Sequence, residues 1–175
     1  MNTPTHIACG ACIAHIIAHA SRDACVTRSK TAFIAIGVFA ASVLSHLALD
    51  LLPHYAWIVY LDWFKTMPYH WLIREAVFGL AIALPALMIA GKARPFIVVG
   101  MVGGMYPDLE KVLCVDHGLT QPFILFDWHS RYLSNRTAGL PKPLLVIMEC
   151  CIIAACLFTM WQLNRRASNQ NLQGT

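Results

Sequence analysis

Apolar residues run in long blocks along this chain, and polar residues gather between the blocks. Five blocks are largely free of charged residues away from their ends, and they predict membrane helices. A helix needs about 20 apolar residues to cross a bilayer, so the first block, which contains three histidines, either spans or lies partly re-entrant. The predicted helical segments are residues 3–21, 31–52, 76–91, 95–113 and 143–163.

The connections between these blocks differ in character. Residues 53–72 are rich in Trp and Tyr, which favour the headgroup level of a bilayer, so an interfacial segment is predicted at residues 55–72. Residues 114–142 predict a polar loop. Residues 165–175 are polar and predict a disordered tail, which leaves residues 1–164 as a single transmembrane helical domain.

The composition excludes a soluble domain. The chain is 58% hydrophobic and 13% charged, with a mean hydropathy of +0.58, whereas soluble domains average about 45–50% apolar and about 25% charged residues. The expected fold is therefore an all-α integral membrane bundle of four to five transmembrane helices. The expected partners are membrane lipids and further copies of the chain in a homo-oligomer. The sequence contains no nucleic-acid-binding motif.

Basic residues indicate an orientation. Three clusters, at residues 22–30, 92–94 and 165–166, fall on one side if the helices alternate in direction, and the positive-inside rule places that side in the cytoplasm. Basic residues in the other loops, including Arg131 and Lys142, leave the absolute orientation open. Alternation also places most of the remaining His and carboxylate side chains together at the opposite, non-cytoplasmic face.

One polar motif ends the second block, in the segment Ser45–His54 (SHLALDLLPH). His46 and Asp50 are four residues apart, so on a helix they lie on one face. There they can share a divalent metal, or the carboxylate can orient the imidazole. Pro53 ends the helix near Leu52, so helix geometry does not fix the position of His54 relative to His46 and Asp50. The alternative is a His and an Asp that only cap a membrane helix in the headgroup zone.

Several separate segments deliver possible metal ligands to this same face. Carboxylates and imidazoles close to lipid are costly and are usually paired or functional. A catalytic metal site needs about three protein ligands and an open position for water, while a nearby carboxylate can act as general base. We expect a divalent metal, with zinc favoured. The candidate ligands are His6, His46, Asp50, His54, Asp108 and His129, and the candidate catalytic carboxylates are Glu75 and Glu110.

Each candidate also has a simpler interpretation. His6 can be an interfacial residue, Asp108 can belong to a helix end after a proline, and His129 can be a solvated loop residue. Glu149, inside the last block, predicts an interhelical hydrogen bond. His15 and His19 lie nearer the cytoplasmic end and are not included in the candidate site.

Four segments carry a family resemblance. They are Thr5–Gly10 (THIACG), the Ser45–His54 motif, Gly103–Leu109 (GGMYPDL) and Asp127–Ser130 (DWHS). Together they resemble small bacterial multi-pass proteins related to predicted membrane-bound metal-dependent hydrolases, which are similar in pattern to zinc-dependent phospholipase C.

The resemblance covers residues 5 to about 134 and implies a bacterial inner-membrane hydrolase. Five residues match family positions believed to bind metal: His6, His46, Asp50, Asp108 and His129. Two features depart from the family pattern. The His-Arg-Gly-x-Thr-His element is absent, and the late loop carries one His where a pair is common.

Three functional hypotheses follow. The first is a metal-dependent hydrolase acting on a phosphoester or lipid-derived substrate at the membrane surface. The second is a metal-binding or metal-transporting membrane protein, which predicts polar residues that continue through the bilayer midplane. The third is a non-catalytic helical scaffold, which predicts that substitutions of the candidate ligands are tolerated.

Overall fold

The computed structural model of the chain describes residues 2–21, 28–54, 70–111 and 139–173. Within these ranges the regular structure is entirely helical, which confirms the all-α prediction. The helices are α1 (Thr3–Ala20), α2 (Arg28–Asp50), α3 (His70–Ala90), α4 (Arg94–Lys111) and α5 (Lys142–Gln173), and a 3-10 turn at Gly91–Ala93 joins α3 to α4.

Three helical stretches are long and apolar enough to cross a membrane. They are Ser29–Asp50, Glu75–Glu110 and Lys142–Asn169. The second stretch reverses direction at Gly91, whose φ of +53° lies in the left-handed region that favours glycine. The membrane class of the chain agrees with the sequence prediction, but the count of four to five spans is not confirmed. Of the predicted interfacial segment, residues 55–69 lie outside the described residues.

Helix α1 lies at the centre of the bundle and contacts the other four helices. Nearly all of its first thirteen residues are buried, and many of them are small (Ala, Cys and Gly). The outer helices instead expose large apolar side chains, such as Phe33 and Met88, which are 74% and 79% exposed. Because α1 is enclosed by protein, it does not need the uniformly apolar surface of a lipid-facing helix.

Glycine allows α1 and α4 to meet backbone to backbone. A Cβ atom at Gly10 would clash with the carbonyl group of Gly100, and one at Gly104 would lie 2.5 Å from the carbonyl oxygen of His6. Contacts this close are typical of membrane helices, where small residues let backbones approach. They fix the axial register of α1 against α4.

Neighbouring helices alternate in direction around α1. Asn2 contacts Glu149 of α5, so these two helices start at the same end, whereas the Ser42 hydroxyl of α2 donates to the carbonyl oxygen of Gly10 at 3.5 Å. The first turn of α1 therefore lies beside the last turns of α2 and α4. We call this end of the bundle the site end. Lys92 and Arg165 lie at the other end, whereas Arg74, Lys111 and Lys142 belong to helix ends at the site end.

Two helix ends bear on the predictions. Helix α2 ends at Asp50, and the Leu52 N–H donates to the Leu49 carbonyl at 3.0 Å, as the proline at position 53 predicts. Helix α5 continues to Gln173, through the segment for which the sequence predicts a polar tail. Residues 165–173 contain neither Gly nor Pro, so nothing in this segment interrupts the helix.

Candidate metal centre

The imidazole of His46 is fixed by the backbone of α4. Its side chain is fully buried, and its Nδ1 lies 2.6 Å from the carbonyl oxygen of Gly104. A carbonyl oxygen can only accept, so Nδ1 carries the proton and donates. In the neutral ring, Nε2 then presents a lone pair. This atom faces Asp50 Oδ2 at 3.3 Å and Asp108 Oδ1 at 3.8 Å.

The imidazole of His6 stacks on that of His46. The ring centroids are 3.7 Å apart and the planes differ by 19°. His6 is 1% exposed, and its Nε2 lies 3.3 Å from Asp50 Oδ1. Neither of its ring nitrogens has a hydrogen-bond partner of good geometry among the described residues. Buried polar atoms normally have partners, so this ring is placed as a ligand would be.

Two carboxylates face the stacked rings. Asp50 uses one oxygen for each imidazole, and its side chain is 4% exposed. Asp108 comes from the last turn of α4, and its side chain is 38% exposed. Access to this cluster from outside the bundle is therefore on the side of Asp108.

The donor set requires a positive charge. A lone pair on His46 Nε2 and the oxygens of two buried or half-buried carboxylates repel one another unless a cation lies among them. That cation is either a metal ion or a proton shared within this group. His6, His46 and Asp108 offer one ligand atom each, and these three atoms lie within 4.8 Å of one another. The group can therefore hold a metal ion, with Asp50 as a further ligand or as the residue that orients both rings.

The structure places the other predicted residues as follows. His54 lies at the site end, is 5% exposed, and has its Nδ1 3.0 Å from the Leu52 carbonyl oxygen. Burial lowers the pKa of His54. Glu75 lies near the beginning of α3 and Glu110 lies in the last turn of α4, so both carboxylates are at the site end. His129 lies outside the described residues.

The carbonyl group of Gly104 is a part of the site that was not predicted from the sequence. A backbone acceptor leaves no side-chain signal, but a spacing signal existed. Gly104 and Asp108 are four residues apart and lie on the same side of α4, so the glycine marks where another helix can approach the carboxylate closely.

Glu149 connects α5 to the first turn of α1. It is 1% exposed and accepts hydrogen bonds from the Asn2 side-chain amide at 2.6 Å and from the Thr5 hydroxyl at 3.4 Å. The predicted interhelical hydrogen bond of Glu149 is thus confirmed. Thr5 directly precedes His6, so this contact holds the segment that supplies one imidazole of the candidate site.

Glu149→Ala should lower the free energy of unfolding by about 1–2 kcal/mol, because two buried donors lose their acceptor. Glu149→Gln is the matched control, since its amide oxygen can accept the same two bonds and its cost should be clearly smaller. Denaturant unfolding in detergent, followed by circular dichroism, measures both. Equal losses in the two variants would mean that the Asn2 and Thr5 contacts do not stabilise the bundle.

Fold and site together define a class: an all-helical protein with membrane-length helices and a His/Asp group that can hold a metal ion at one end. Comparisons of the chain with protein-family models, with characterised proteins and with solved structures find no match. The family resemblance therefore rests on the short motifs alone.

Proposed function

We propose that this protein is a membrane-embedded, metal-dependent hydrolase that cleaves a phosphoester at the membrane surface. The observation that carries the proposal is the cluster of His6, His46, Asp50 and Asp108, in which two imidazoles and two carboxylates from three helices meet at one end of the bundle. A purely structural His/Asp pair would not need a second imidazole stacked on the first.

Zinc is the favoured metal, because nitrogen and oxygen donors at three or four positions suit it and a catalytic zinc site keeps one position open. A bound divalent ion would supply a Lewis acid for a phosphoryl oxygen and would lower the pKa of a coordinated water. The exposed side chain of Asp108 gives the position from which substrate and water can enter.

The residues of the chain have distinct roles in this proposal. Gly104 holds His46 in one tautomer, and Asp50 orients the two imidazoles. Glu75 and Glu110 are the candidate general bases. In hydrolysis, the bond from the water oxygen to phosphorus forms while the bond from phosphorus to the leaving alcohol oxygen breaks. The base takes the proton of the water and returns it to the leaving alkoxide.

The location of the protein is part of the proposal. Six basic residues of the described helices lie at the end opposite to the metal centre and three lie at the site end (Arg74, Lys111 and Lys142), so the positive-inside rule favours the opposite end as the cytoplasmic one. The candidate site then faces away from the cytoplasm, in the inner membrane of a bacterium.

Hydrolysis of bis(p-nitrophenyl) phosphate by detergent-purified protein tests the activity. We expect that a chelator abolishes hydrolysis and that added zinc restores it. His6→Ala should lower the rate roughly 100-fold. His19→Ala is the matched control, since it removes the same side chain from the other end of α1 and should keep the wild-type rate. A rate that survives chelation, or that falls equally in both variants, would contradict the proposal.

Metal transport is the second candidate, and one observation favours it. His15 is 1% exposed in the second half of the central helix, between His6 and His19. A polar path along α1 would carry metal through the bundle rather than hold it at one end. Two results together would favour transport over hydrolysis. The wild type would take up zinc into proteoliposomes without cleaving a phosphoester, and His15→Ala would abolish this uptake.

A further inference from the structure

An apolar groove lies between α3 and α4, with α1 as its floor. The cavity has a volume of about 490 Å³, within the range of small-molecule sites. Thr3 and Ile7 form the floor, and Glu75 is the charged residue of its walls. Residues of α3 from Glu75 to Ala83 follow the groove, which makes it roughly 12 Å long at 1.5 Å per helical residue.

The groove extends along α4 toward the site end of the bundle. Met101, Met105 and Asp108 are spaced four and three residues apart, so they lie on one face of α4. The two methionines line the groove, and Asp108 follows one turn later. Asp108 is also the exposed member of the metal-ligand group. The groove therefore leads along α4 to the accessible side of the site.

The outer edges of the groove walls are apolar and exposed. Leu80, Val98 and Val102 line the groove and are 55%, 46% and 49% exposed. All three belong to the Glu75–Glu110 stretch, which is apolar enough to cross a membrane. What lies against such side chains in a bilayer is lipid. A helix does not fit, because a 12 Å length of a helix 10 Å wide occupies roughly 900 Å³, about twice the cavity.

We propose that this groove holds one acyl chain of a membrane lipid, whose head group then lies at the candidate metal centre. The inference rests on the proposed function and narrows its substrate from phosphoesters in general to phospholipids that enter sideways from the bilayer. Apolar contacts along α3 and α4 hold the chain, and the charged head group lies where Asp108 and Glu75 end the apolar surface.

Photo-crosslinking tests the proposal. The full chain is placed in vesicles of phosphatidylethanolamine and phosphatidylglycerol that contain a trace of phosphatidylethanolamine with a diazirine in one acyl chain. After illumination, mass spectrometry compares labelling at Met101 with labelling at Met88. Met101 is 9% exposed and faces the groove, whereas Met88 is 79% exposed and reports ordinary contact with bulk lipid.

We expect labelling at both methionines in the wild type. Ala76→Phe puts a phenyl ring into the groove from an exposed wall position, and it should lower Met101 labelling roughly tenfold while Met88 labelling is unchanged. Ala155→Phe, at an exposed position of α5 outside the groove, is the matched control and should leave both unchanged.

Labelling of Met88 without labelling of Met101 in the wild type would overturn the inference. Insensitivity of Met101 labelling to Ala76→Phe would overturn it as well. Metal content, measured on the same samples, separates the two proposals. Protein that binds metal but shows no label in the groove refutes the acyl-chain site alone, whereas labelled protein that binds no metal refutes the hydrolase.

Discussion

Gly10→Ala should destabilise the bundle by roughly 3 kcal/mol, the upper part of the range for overpacked cores. A Cβ atom at this position would clash with the carbonyl carbon and oxygen of Gly100. Both are backbone atoms, so no side chain can rotate away and α1 must separate from α4. Since His6 lies on α1 and Gly104 on α4, the same movement would pull the two imidazoles from their positions.

Gly37→Ala is the matched control for this substitution. It makes the same chemical change within a membrane-length helix, but a Cβ atom at Gly37 has nothing within 4 Å. Replacing an unhindered helical glycine gains about 0.5–1 kcal/mol in helix propensity. The two variants should therefore shift the midpoint of thermal unfolding in opposite directions. Similar shifts would show that α1 and α4 are not in backbone contact.

His46→Ala should weaken zinc binding by on the order of 100-fold or more, since even the partners of a metal ligand contribute 10–100-fold. This side chain links the whole group: it contacts Asp50 and Asp108 through Nε2, Gly104 through Nδ1, and His6 by stacking. Zinc affinity measured by competition with a chelating dye gives the size of the effect.

His54→Ala is the control for His46→Ala. His54 is also buried at the site end, but its Nδ1 contacts the carbonyl oxygen of Leu52, two residues away, and it does not belong to the group of ligand atoms within 4.8 Å. We expect its zinc affinity to stay close to that of the wild type. Equal losses in both variants would place His54 among the ligands and change the site as described.

The sequence was informative where a signal depends on spacing along one helix or on the alternation of helices. The four-residue interval predicts that His46 and Asp50 share a face, and their contact at 3.3 Å agrees with it. Alternation predicts that His6 and Asp108 come to the same end, and both lie there. These predictions need no knowledge of which helices touch.

The contacts that complete the site depend on that knowledge. The stack of His6 on His46 follows from the backbone contact of α1 with α4, which small residues permit but do not specify. The central position of α1 was also beyond the sequence, because hydropathy measures the affinity for an apolar environment and does not distinguish lipid from protein. The three histidines of α1 are consistent with a helix buried in protein, but the sequence does not show which helices surround it.

Elemental analysis of the detergent-purified wild-type protein tests the central claim most directly. A cation is needed among His46 Nε2, Asp50 and Asp108, and it is either a metal ion or a proton. We predict about one zinc, manganese or iron ion per chain, retained through gel filtration and absent from His46→Ala. Well-folded wild-type protein that holds no metal, and takes up none when zinc is added, would mean that a proton takes the place of the metal ion and that this cluster is a buried, hydrogen-bonded His/Asp group.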